Sequence, residues 1–200
     1  MTKEKRVQEI IRRLEEKYSE VKTALNFSTP LDLLVATILS AQTTDVKVNK
    51  VTKNLFEKYR TAEDYAKVAL EELQKDIKSI NYYKNKATYI QSLAKKLIEE
   101  FHGQVPSTME ELVKLPGVGR KTANIVLWNA YGKNEGIAVD THVKRISKLL
   151  GLTENTDPEK IEEDLMKIVP KEEWGRFSHL IIMLGREICQ AKKPKHDICP

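Results

Sequence analysis

The stretch Leu115-Pro116-Gly117-Val118-Gly119-Arg120-Lys121-Thr122-Ala123 decides how the rest of the chain is read. Just upstream, Ser107-Thr108-Met109-Glu110 has capping-box spacing and opens a short helix from Glu110 to Lys114, so the quoted stretch is a tight Gly-x-Gly turn joining two helices. Glycine lacks a Cβ, takes positive φ, and leaves backbone amides bare at the start of the following helix, where the dipole favours an anion. A DNA phosphate suits such a place. Arg120 and Lys121 add two cations at a helix N-terminus, where cations are ordinarily disfavoured, and a broken local rule often marks function. Close helix packing also explains glycines in such a turn, so the motif alone leaves both readings open.

The charge distribution leans the same way. The 200 residues hold 34 Lys and Arg against 29 Asp and Glu, a net charge of +5. The segment from Lys114 to Lys148 contains Lys114, Arg120, Lys121, Lys133, Lys144, Arg145 and Lys148 against only Glu135 and Asp140, so it carries the whole excess and the remainder is neutral. One basic segment on a neutral protein fits a phosphate-binding surface; a solvated helix face is the plainer alternative.

Composition bounds the class. At 40% apolar and 32% charged residues, the chain suits one globular unit or two small lobes. Eight glycines, seven prolines and two cysteines exclude a collagen-like repeat, a low-complexity linker and a disulfide-stapled scaffold, and fit a reducing compartment. Met1-Thr2-Lys3-Glu4-Lys5-Arg6 runs straight into charge, and no window approaches the roughly 18 apolar residues of a membrane span. The expected location is the cytoplasm, at the nucleoid if the chain is prokaryotic, with no membrane partner.

Helical periodicity dominates. Val7, Ile10, Ile11, Leu14 and Tyr18 share one face, as do Val48, Val51, Leu55 and Tyr59. Ala87, Ile90, Leu93, Ala94, Leu97, Ile98 and Phe101 predict a third helix, stopped by His102-Gly103 with Pro106 beyond. Leu31 to Leu39 is nearly continuous apolar sequence; following Thr29-Pro30, it reads as a buried helix rather than a strand. Asp157-Pro158-Glu159 opens another, and Glu172 to Cys189 aligns Trp174, Phe177, Leu180, Ile181 and Leu184. With no alternating strand and no fixed-period repeat, the expected fold class is all-α, about ten helices.

LPGVGRKTAN followed by Val139-Asp140-Thr141-His142 resembles the helix-hairpin-helix plus Gly/Pro-Asp signature of the endonuclease III family of DNA glycosylases. Leu39-Ser40-Ala41-Gln42-Thr43-Thr44-Asp45-Val46 is similar to the segment after that family's buried helix, and Tyr83-Lys84-Asn85-Lys86-Ala87 stands where the family has a DNA-inserting loop. The likeness spans about residues 20 to 199. It implies a two-lobed helical glycosylase fold with a cleft between the lobes. Residues 23–133 would form a six-helix lobe containing the hairpin; 1–22 plus 134–200 would form the second.

The resemblance implies that Lys121 attacks C1′ of a damaged nucleotide, expels the base and forms a Schiff base that undergoes β-elimination. Attack requires an unprotonated amine, which partial desolvation and the positive end of a helix both favour. Asp140 is the implied second catalytic residue, stabilising positive charge that develops on the sugar. It is equally a good N-cap for a helix ending near Leu150. His142 would support Asp140 or contact phosphate. Gly117, Val118, Gly119, Arg120, Lys192 and Lys193 are the further expected DNA contacts. Gln42 and Tyr82 would fill the space left by a flipped nucleotide. Tyr82 stands where leucine is familiar, so a flat aromatic wedge is expected to stack; packing explains the tyrosine as well.

The C-terminal segment departs from the family. Members commonly carry Cys-x6-Cys-x2-Cys-x5-Cys for a [4Fe-4S] cluster, whereas this chain reads Cys189, then His196 and Cys199 as remnant ligand positions, with no fourth. Two cysteines and a histidine are too few, so no stable cluster is expected and none is needed for the chemistry. Either a few native residues are missing or the lineage has lost the site and kept its basic loop. The resulting expectation is a monomeric bifunctional DNA glycosylase and abasic-site lyase acting on oxidised pyrimidines or abasic sites in double-stranded DNA. The rivals are a mismatch-specific or adenine-specific monofunctional glycosylase, which usually lacks lysine at position 121, and a non-catalytic helix-hairpin-helix DNA-binding module.

Overall fold

The computed structural model describes residues 2–200, and its regular structure among them is helical throughout. In chain order the helices are α1 (Lys3–Lys17), α2 (Pro30–Ser40), α3 (Asp45–Lys58), α4 (Ala62–Lys67), α5 (Leu70–Asp76), α6 (Tyr83–Phe101), α7 (Met109–Leu112), α8 (Arg120–Tyr131), α9 (Thr141–Leu149), α10 (Pro158–Ile168) and α11 (Trp174–Glu187). The chain forms two compact units, one of residues 24–132 and one of residues 1–23 with 133–200.

The unit of residues 24–132 is organised around α2. Its nine residues from Leu31 to Leu39 are all buried, which explains the nearly continuous apolar run: a helix covered on every side needs no polar face, and its two polar members, Asp32 and Thr37, are hydrogen-bonded to the backbone. Each such leucine, valine or isoleucine contributes about 1.5–3 kcal/mol by leaving water. Thr29 and Asp32 close a capping box at its start, with Pro30 at the first helical position. Helices α3, α6 and α8 pack against α2, and Ala123, Val126 and Leu127 of α8 join its core.

Two local expectations shift. This unit has seven helical segments rather than six, because the chain from 62 to 76 breaks at Val68, whose extended backbone separates α4 from α5. The helix cap upstream of the glycine turn is the Thr108 side chain with Glu111 rather than a capping box of Ser107 with Glu110. The Thr108 hydroxyl accepts from the Glu111 amide and donates 2.6 Å to its carboxylate, so α7 begins at Met109.

In the other unit, Val7, Ile11 and Leu14 of α1 meet Val143 and Ile146 of α9, Ile161 and Leu165 of α10, and Phe177, Leu180, Ile181 and Leu184 of α11 in one core. Asp157 caps α10 with Pro158 behind it, as its local sequence demands. Trp174 begins α11 after a single 3-10 turn at Lys171–Glu173.

Candidate active site

The hairpin is held from below and open above. Leu112, Leu115 and Val118 are buried, while Gly117 and Gly119 are exposed, and the Val118 amide donates to the Leu115 carbonyl at 3.1 Å to close the turn. Gly117 has φ +78, and a Cβ there would stand 3.0 Å from Tyr89 Cβ, so both conformation and space call for glycine. Gly119 is the N-cap of α8 at φ −97; a Cβ on it would meet nothing within 4 Å. Neither conformation nor crowding within the protein requires glycine there, and the space in front of it is open. No side chain caps α8, leaving the positive end of its dipole for a bound anion.

Lys121 is the second residue of α8 and is exposed. The partial desolvation expected for a nucleophilic lysine is therefore not supplied by its own unit. The basic segment is also less uniform than its sequence reads: the Lys114 ammonium donates to Glu110 at 3.0 Å, a carboxylate just outside the counted stretch. The run from Lys114 to Lys148 is moreover divided between the two units after Gly132.

Asp140 caps α9. One oxygen, Oδ1, accepts from the amides of both His142 and Val143 at 2.8 Å, which fixes the carboxylate and leaves its second oxygen for other work. His142 is half-buried, and a Cβ on Gly185 would lie 2.5 Å from its Nδ1, so the imidazole fills the close approach of α9 to α11. Burial holds its pKa below the ordinary value, against the pull of Asp140 and with help from Arg186 and Arg145. The ring is packed against glycine on α11, and the backbone amide of the same residue is tied to Asp140. His179, which sequence reasoning passed over, is buried on α11 with Nδ1 3.0 Å from the Gly175 carbonyl; burial lowers its pKa too, and the field of Asp140 opposes that. Its only sequence signal is a histidine among the apolar residues of α11.

Gln42 and Tyr82 are brought together. Both are exposed and both adopt left-handed backbone, at φ 54 and φ 58, with Tyr82 as the N-cap of α6. The side chain of Asn81 donates to the Gln42 carbonyl at 2.5 Å. Tyr82 is 63% exposed, which removes the packing explanation for its ring. Lys86 and Asn81 were not among the expected site residues. A lysine in register with Ala87, Ile90 and Leu93 on an apolar helix face was the available signal.

Lys192 and Lys193 are exposed in the segment after α11. Cys189 is half-buried and receives a long contact from Arg145 Nη1 at 3.6 Å, whereas His196 and Cys199 are exposed. Among the described residues no three His, Cys, Asp or Glu side chains gather as a metal-holding group. The donors present do not fit a four-ligand iron–sulfur cluster.

The model of the HhH-GPD superfamily of base excision DNA repair proteins matches residues 35–171. The chain belongs to that superfamily. Within it, the chain is 50% identical to endonuclease III of Synechocystis sp., over 99% of its own length and 90% of that protein's, and 49% identical to endonuclease III of Bacillus subtilis, over 98% and 90%. A solved structure of a trapped endonuclease III–DNA covalent intermediate is similar at a TM-score of 0.95 and 47% identity, covering 100% of this chain and 94% of that one. The endonuclease III family thus places the chain in base-excision repair, as a bifunctional DNA glycosylase and abasic-site lyase. The rival readings are not favoured.

Proposed function

We propose that Lys121 is the nucleophile of this activity and Asp140 its electrostatic partner, and that the substrates are oxidised pyrimidines and abasic sites in duplex DNA. The single observation that carries the reading is an exposed lysine in the first turn of a helix whose N-cap glycine is open to close approach. A phosphate bound at the α8 N-terminus would set the DNA backbone beside Lys121, and the arriving nucleotide would supply the desolvation that the free side chain lacks.

The neutral amine attacks C1′, forming a C–N bond as the glycosidic bond breaks and the base leaves with its electron pair and a proton. The C1′–O4′ bond then breaks, O4′ taking its electron pair and the remaining amine proton, which leaves the Schiff base. Removal of a C2′ proton then expels the 3′ phosphate, and water returns the lysine as free amine. Asp140 stabilises positive charge developing on the sugar, its second oxygen unoccupied by the cap. Gln42 and Tyr82 enter the stack when the nucleotide leaves it. Arg120, Lys192 and Lys193 contact phosphates, and His142 supports the Asp140 turn.

None of these steps passes through iron, and the protein acts as a cytoplasmic monomer whose 200 residues carry an incomplete cluster site; iron bound in stoichiometric amount with visible cluster absorbance would show the site to be complete in the native protein. The test of the chemistry is borohydride trapping on a duplex with one abasic site, beside Lys121→Ala at fixed salt. An adduct with the native chain alone supports the assignment; an adduct with the variant removes it.

A further inference from the structure

Lys86 is 5% exposed, and its ammonium is met by oxygens from one place: the Leu39 carbonyl at 2.8 Å, the Ala41 carbonyl at 2.6 Å and the Thr43 hydroxyl at 3.4 Å. The two carbonyls end α2, where the helix dipole is negative and backbone acceptors lack helical partners. Burial pulls the lysine down to about 8, so it stays mostly charged at neutral pH. The next residue after the clamped carbonyl is Gln42, in left-handed backbone.

The other side of the clamp is α6. Lys86 lies one turn behind Tyr82, and its own amide donates to the Tyr82 carbonyl at 3.1 Å. Asn81, next to Tyr82, completes the loop of contacts through its bond to the Gln42 carbonyl. Among the described residues only three non-glycines have positive φ; His102 ends a helix, and the other two are Gln42 and Tyr82. Unfavourable backbone persists where the surroundings over-determine it, and such places tend to be functional.

We propose that Lys86 and Asn81 are positioning residues that lock the Gln42 and Tyr82 turns into one pre-formed wedge, on which discrimination of an abasic site from intact duplex depends. The proposal rests on the reading of Gln42 and Tyr82 as the residues that enter the stack. Plain duplex is held through phosphates and does not need the wedge. A site with a nucleotide displaced does, and a wedge already ordered spends no binding free energy on ordering itself.

The test compares affinity for a duplex with a tetrahydrofuran abasic analogue against the same duplex intact, at fixed salt, with 2-aminopurine opposite the lesion reporting unstacking. Asn81→Ala alters an exposed turn and is expected to fold. It should lower the abasic-to-intact ratio about fivefold and the 2-aminopurine signal with it, the size of one backbone hydrogen bond. In a Gln42→Ala/Tyr82→Ala background the same substitution should change the ratio less than about twofold, since both side chains of the wedge it positions are gone. Lys86→Met should lower the ratio further while leaving intact-duplex affinity unchanged. An equal loss for both duplexes, or the full Asn81 effect persisting without the Gln42 and Tyr82 side chains, overturns the proposal. If the native protein itself shows no preference for the abasic duplex, the wedge reading of Gln42 and Tyr82 fails instead.

Discussion

A Cβ placed on Gly117 would sit 3.0 Å from Tyr89 Cβ, so the turn of the hairpin is built against the side of α6. The two glycines of the motif therefore answer to different causes. Gly117→Ala forces an alanine into left-handed backbone, about 1–2 kcal/mol, and displaces the tyrosine. Gly119→Ala adds a Cβ facing open space at an ordinary φ. Thermal melts should show a clear loss for Gly117→Ala and almost none for Gly119→Ala, while duplex affinity falls for both. Unchanged affinity in Gly119→Ala would mean that DNA does not approach the N-cap.

Lys121→Ala removes an exposed side chain and should leave stability within about 0.5 kcal/mol of native. Borohydride trapping should vanish while binding to abasic duplex persists. Unfolding of the variant would reveal a structural role that the exposure gives no reason to expect.

Asp140 combines a cap and a charge, and substitution separates them. Asn caps about as well as Asp, so Asp140→Asn should melt like the native chain yet turn over about 100- to 1000-fold more slowly. Asp140→Ala should in addition lose about 1 kcal/mol. Native turnover in Asp140→Asn would reduce this residue to its cap.

Tyr82 holds left-handed backbone that glycine adopts freely. Tyr82→Gly should keep or raise the melting temperature and still weaken abasic-duplex binding by about tenfold, through lost stacking. A parallel loss of stability would show the ring to be part of the packing.

His142 and His179 both have pKa values lowered chiefly by burial from an ordinary 6.5. Below that value the unfolded chain binds more protons than the folded one, so stability rises with pH through this window and falls on acidification. Melts between about pH 5 and 7.5 should show that slope, and His179→Gln should flatten it. A flat native profile would place both rings in protonatable surroundings.

What was legible in the sequence was what the chain settles within a few residues of itself. Thr29-Pro30 opening α2, Asp157-Pro158 opening α10, Asp140 ahead of α9 and His102-Gly103 ending α6 are contacts over two to five positions, and residue type alone dictates them. The choice of helix over strand for Leu31 to Leu39 also came from its flanks. Even at this range the register slipped by one at Thr108, where two adjacent hydroxyl residues each stood three before a glutamate.

Tertiary structure decided what depends on distant partners. Lys86 finds its carbonyls 45 and 47 residues away, and Asn81 finds Gln42 across 39. His142 is shaped by Gly185 on another helix, and the exposure of Lys121 depends on what packs beside α8. A motif names the groups able to do the chemistry because bonding and charge belong to residue types. Which of them are buried, clamped or left open is set by the packing of segments far apart in the chain, and local sequence does not record it.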